Sequence, residues 1–148
     1  ESEAQPMRVG LLLITHNQIG HQMMLMATTT LGEIPINYEI ISVDPDESLD
    51  HVTDRANSSI KRLDQGDGVL VITDLYGATP GNIACRLLGH ADIRVITGLN
   101  LPMLLKVANY ATHDLDSLTQ KALLGAKRGI VLCNQDICQV HRPPSTGL

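Results

Sequence analysis

The run Val9-Gly-Leu-Leu-Leu-Ile-Thr15-His16-Asn17 is apolar without a break until it stops at a threonine and a histidine. An amphipathic helix brings in polar residues every turn, and a strand with one wet face alternates. An unbroken aliphatic run this short therefore reads as a strand buried on both faces, as in a parallel sheet covered by helices. A second run, Val69-Leu-Val-Ile-Thr73, ends in Asp74-Leu-Tyr-Gly77-Ala-Thr79-Pro80. Open α/β sheets gather ligands at the carboxyl ends of their strands, where strand order reverses. The expectation is that these two strand ends are neighbours and that Asp74 faces His16.

The rest of the chain supplies the covering helices. Ile19, Met23 and Met26 recur at helical spacing before Gly32, and Pro35 to Ile41 reads as a strand from its β-branched content. Acidic Asp44 to Glu47 opens a helix with an inner face of Leu49, Val52, Ala56, Ile60 and Leu63. Thr79-Pro80 has the order of an N-cap followed by proline at the first helical position, and Gly89 closes that helix. Ile93 to Ile96 is a strand, Gly98 to Pro102 caps a helix through about Ala111, and Asp114 to Lys127 presents Leu115, Leu118, Ala122 and Ala126. Ile130 to Cys133 is short enough for an edge strand.

Strand and helix alternate, which predicts an α/β fold: an open, doubly wound sheet of four parallel strands flanked by helices. Right-handed crossovers favour the order 2-1-3-4, with a crevice between the first and third strands lined by Thr15-His16 and by Asp74 to Thr79. The folded body is expected over 7–133 as a single domain. Residues 1–6 read as an expression remnant before Met7, and 134–148 as a flexible tail.

Composition narrows the class of partner. The chain has no Phe or Trp and only three Tyr, so it lacks the platforms that stack single-stranded nucleic acid. With a formal net charge of −5 and no basic cluster, it also lacks the footprint of a nucleic-acid or anionic-membrane binder. The cysteines Cys85, Cys133 and Cys138 form no paired framework and no metal-ligand spacing. With no signal peptide or long apolar span in sight, a reducing cytoplasm is the expected compartment. No metal, cofactor or direct membrane insertion is expected.

An imidazole acts as a nucleophile only if one nitrogen keeps its lone pair. A carboxylate bonded to the other nitrogen fixes that tautomer and stabilises the cation formed during reaction. With Asp74 on Nδ1 of His16, Nε2 is left to attack. The helix beginning at Thr79-Pro80 adds backbone N–H groups, a hydroxyl and the positive end of a helix dipole. Nucleophile, orienting acid and anion cradle together point to phosphoryl transfer through a phosphohistidine, where positioning and electrostatics supply most of the help. No P-loop pattern is present, so a phosphoprotein donor is expected rather than a nucleotide. Taken singly, a histidine at a strand end is ordinarily a hydrogen-bonded loop residue, and Asp before Gly commonly caps a turn. Their convergence on one crevice is what favours chemistry. His21 lies near the same mouth but reads as a solvated helix residue; His51, His90, His113 and His141 are assigned nothing. The methionines at 23, 24 and 26 read as core and near-core packing.

The segments Leu-Leu-Ile-Thr15-His16, Val-Ile-Thr-Asp74-Leu-Tyr-Gly77-Ala-Thr79-Pro80-Gly-Asn82 and Thr97-Gly-Leu-Asn100-Leu-Pro102-Met-Leu resemble the enzyme IIA domain of the mannose/fructose/sorbose family of bacterial phosphotransferase systems. The resemblance implies a phosphocarrier with His16 as the phosphorylated residue and Asp74 as its orienting partner. It implies a phosphate site at Thr15, Gly77, Ala78 and Thr79, phosphorylated HPr as donor and a IIB component as acceptor. It also implies a homodimer in which Ile130 to Cys133 crosses to the partner's sheet as an antiparallel edge. Asn17 stands where the family usually has glycine, and no counterpart is assigned to the tail from Asn134. The alternatives are a regulatory phosphoprotein whose His16 state controls a binding partner, and a small-ligand binder that never takes up phosphate.

Overall fold

A computed structural model describes residues 5–75, 77–89 and 92–140. The first apolar run forms β1 (Gly10–His16), the centre of a four-stranded parallel sheet with β2 (Tyr38–Val43), β3 (Val69–Thr73) and β4 (Ile93–Thr97) in the order β2-β1-β3-β4. Every ladder is parallel, with Leu13 opposite Ile40 and Ile72, and Ile14 opposite Thr73. The expected sheet and its strand order are therefore observed.

Side chains alternate across a strand, so β1 serves two helix layers at once. Leu11 and Leu13 pack with Leu70 and Ile72 of β3 under α1 (Ile19–Leu31), α4 (Leu101–Asn109) and α5 (Leu115–Arg128). Leu12 and Ile14 pack with Val69 and Val71 under α2 (Leu49–Leu63) and α3 (Thr79–Arg86). Helix α2 turns Val52, Ala56 and Leu63 inward; Leu49 and Ile60 pack at the margin of the same core. On α5 the four positions Leu115, Leu118, Ala122 and Ala126 are all buried.

Helix α1 is rotated from the expectation. Its buried residues are Gly20, Met24 and Ala27, while Ile19 is 41% and Met26 50% exposed. Two apolar stripes run along this helix, and the one holding Gly20 wins because a side chain there would not fit. A Cβ on Gly20 would stand 2.9 Å from Thr15 Oγ1 and 3.0 Å from Ile40 Cγ2, so only glycine lets the helix settle this close to the sheet. The helix starts are displaced slightly from the expected caps: Ser48 caps α2 by accepting from His51 N–H, and Ala78, without a side-chain bond, precedes α3.

One expectation fails at the carboxyl end. Ile130 to Cys133 forms no strand; Ile130 is 79% and Leu132 90% exposed. Gly129 alone separates α5 from this segment. Ile130 N–H still bonds Lys127 O at 3.3 Å, so the chain has not left the last turn of α5 where the strand was expected to begin. The tail then resumes as α6 (Gln135–Val140), with Asn134 Oδ1 accepting from Ile137 N–H at 2.9 Å. The expectation for 141–148, like that for 1–4, lies outside the described residues.

Away from the carboxyl edge of the sheet, Glu39 of β2 is held by Arg62 of α2 at 2.8 Å. This bond to Arg62 keeps the Glu39 carboxyl below its ordinary range; partial burial opposes the shift and the Ser59 hydroxyl adds to it. Among the described residues no helix is long and apolar enough to cross a membrane.

Candidate active site

The register that sets Ile14 opposite Thr73 carries the next residues of both strands to the same edge. There Oδ2 of Asp74 accepts two hydrogen bonds from one residue: His16 N–H at 3.0 Å, and the His16 ring at 2.9 Å through Nδ1. The Asp74 side chain is 10% exposed and the imidazole 40%. The carboxylate is thus nearly sealed beneath a ring that remains open to solvent. With Nδ1 bound to the acid, Nε2 is the nitrogen left for chemistry. Oδ1 of Asp74 and the hydroxyl of Thr73 are buried and have no partner among the described residues.

A cavity of about 530 Å³ opens beside this pair. His16 and Asn17 form one wall, and Thr79 and Asn82 of α3 a second. Val43, Asp44, Pro45, Glu47 and Leu49, from the connection between β2 and α2, form the third. The first-turn N–H groups of an α-helix have no partner inside it; in this turn Pro80 contributes none, Thr79 lines the cavity and Gly81 is buried. No acidic residue occupies that turn. The Glu47 carboxylate is already engaged by Arg55 at 3.0 Å, and the described lining carries no lysine or arginine.

Strand parity separates the remaining expected site residues. Thr15 lies on the face of β1 shared by Leu11 and Leu13, is fully buried, and accepts the N–H of Gly20 at 2.9 Å. It caps the start of α1, where the preceding Gln18 gives no side-chain bond, and its hydroxyl is turned away from the cavity. Gly77 and Ala78 shape the approach to α3. Gly77 takes φ +78, a left-handed turn suited to glycine, and Ala78 is the N-cap. His21 bonds Ser42 Oγ at 3.3 Å and does not line the cavity.

The wall from β2 to α2 and the residues Asn17 and Asn82 were absent from the expected site. A usable signal existed: strand order 2-1-3 sets the end of β2 beside His16, as the pairing of His16 with Val43 shows.

Comparison with known proteins gives a consistent answer. The family described as "PTS system fructose IIA component" matches residues 10–123. The chain is 28% identical over 127 residues to the PTS system mannose-specific EIIAB component of Escherichia coli (strain K12), a match covering 84% of this chain and 39% of that protein. It is 39% identical over 83 residues to the PTS system sorbose-specific EIIA component of Lacticaseibacillus casei, covering 55% of this chain and 59% of the relative. The chain thus spans well under half the length of the mannose-specific protein. Its fold superposes on the mannose/sorbose specific IIA subunit of the phosphotransferase system from Enterococcus faecalis with a TM-score of 0.78 at 23% identity, covering 86% of this chain and 96% of that one. The matched span takes in both strand ends with His16 and Asp74, and the chain belongs to the enzyme IIA proteins of the mannose, fructose and sorbose family of phosphotransferase systems.

Proposed function

We propose that this chain is a cytoplasmic phosphocarrier: Nε2 of His16 accepts a phosphoryl group from phosphorylated HPr and passes it to a IIB component in sugar uptake. The observation that carries this reading is the pair of hydrogen bonds from His16 to Asp74 Oδ2 at the mouth of an open cavity. Asp74 keeps the Nδ1 proton and stabilises the charge that builds on the ring as the donor's P–N bond breaks and the bond to Nε2 forms. Thr79 and the first-turn N–H groups of α3 receive the equatorial oxygens. Gly77 and Ala78 set the turn that aims that helix.

A protein donor suits the surroundings. An almost wholly apolar groove of about 600 Å³, formed by Gln18, Ile19, Gln22, Met23, Met26 and Leu101, begins two residues from His16 and offers a docking face. A second copy of the chain is the partner suited to the bare Ile130 to Leu132 segment, which supports a homodimer.

The test is incubation of the protein with enzyme I, HPr and labelled phosphoenolpyruvate, followed by mapping of the acid-labile phosphate. Label on His16 that disappears in His16→Ala is expected. Equal labelling of the two proteins would reject the site.

A further inference from the structure

Among the described residues Asn17 is the one non-glycine in the left-handed region, at φ +44, and it directly follows His16. Residues with a Cβ sit there at an energetic disadvantage, and such outliers gather where function over-determines the backbone. Packing gives no reason for it: Asn17 is exposed, and its carboxamide bonds to no other described residue. Asn17 nevertheless lines the cavity beside His16, together with Thr79, Asn82, Asp44 and Glu47.

That setting creates a need. A phosphoryl group on Nε2 brings close to two negative charges into a cavity whose described lining holds two carboxylates and no lysine or arginine. Neutral donors must hold it. Thr79 and the start of α3 supply them on one side. On the side of β1 the Asn17 amide is the donor at hand.

We propose that the Nδ2 hydrogens of Asn17 bond a phosphoryl oxygen on His16, making Asn17 a second anchor of the phosphohistidine that favours the phosphorylated state of this chain. The inference rests on the phosphocarrier reading. In the transfer the donor's P–N bond breaks, the His16 Nε2–P bond forms, and the Nδ1 proton stays against Asp74. Asn17 neither gains nor loses a proton; it holds the transferred group.

The test measures the equilibrium between phosphorylated HPr and the full chain by phosphorus NMR, for the wild type, Asn17→Gly, Asn17→Asp and Asn17→Ser. Glycine suits the backbone and removes the amide. The phosphorylated fraction is expected to shift toward HPr by about tenfold, the size of one charge-assisted hydrogen bond, with a melting temperature equal to or above wild type. Aspartate keeps the shape but repels the phosphoryl group and is expected to shift further; serine, with a hydroxyl donor, recovers part of the loss. A wild-type equilibrium in Asn17→Gly overturns the inference and leaves His16 as the carrier. A loss in Asn17→Gly matched by a fall in its melting temperature also overturns it, since the effect is then structural. Absence of phosphate on wild-type His16 removes the phosphocarrier reading itself.

Discussion

Replacing Asp74 by alanine separates orientation from chemistry. In the wild type one carboxylate oxygen accepts both the His16 ring at 2.9 Å and the His16 N–H at 3.0 Å. Only the ring bond strengthens as positive charge builds on the imidazole during transfer. A hydrogen bond to a charged group contributes roughly 1.5–3 kcal/mol, and each 1.36 kcal/mol is a factor of ten in rate. Asp74→Ala is therefore expected to slow transfer by about 10- to 150-fold, with product still formed on His16. Asp74→Asn retains an acceptor of the same shape without the charge, so its rate is expected between the two. The assay is single-turnover transfer from labelled HPr by rapid quench, with a thermal melt of each variant to confirm the fold. A rate for Asp74→Ala within twofold of wild type would refute the orienting role. Complete inactivity in a folded Asp74→Ala would refute it in the other direction, because an acid that only orients leaves the nucleophile working.

Leu132→Asp changes a residue that is 90% exposed, so it is expected to leave the single chain folded while shifting sedimentation from dimer toward monomer; a monomeric wild type would remove the dimer reading. Glu39→Gln tests the Arg62 pair. Because the Glu39 pKa is lowered from its ordinary 4.5, its stabilising effect is present above that pH and fades as the pH falls through the folded-state value. The urea midpoints of wild type and Glu39→Gln are thus expected to differ at neutral pH and converge in acid; divergence in acid would contradict the sign.

The sheet was legible because doubly buried strands leave an unmistakable mark: Val9 to Ile14 and Val69 to Ile72 admit no polar face. Handedness then restricted the order, and the order made His16 and Asp74 neighbours. Thr15 was legible too, had the period of two been carried one residue further, since it shares a face with Leu13 rather than with His16. The segment from Ile130 was not. Three aliphatics in a row are compatible with an edge strand or with a bare linker, and the choice depends on the one-residue connection from α5. Helix α1 was ambiguous for a related reason: Ile19, Met23 and Met26 form one apolar stripe and Gly20, Met24 and Ala27 another, and only contact with Thr15 and Ile40 selects between them. The cavity wall from Val43 to Leu49 carried no motif of its own and became a wall through pairing of its strand with β1.

Thr15 and His16 are consecutive residues that belong to opposite layers, one holding down the start of α1 and the other exposed to the cavity. Inserting or deleting a single residue within β1 would exchange their roles, burying an imidazole under a helix and bringing aliphatics to face the acid. This strand therefore tolerates changes of chemistry far better than changes of length. A mis-threaded molecule would be recognisable at once, because it would be poorly folded and chemically silent for the same reason.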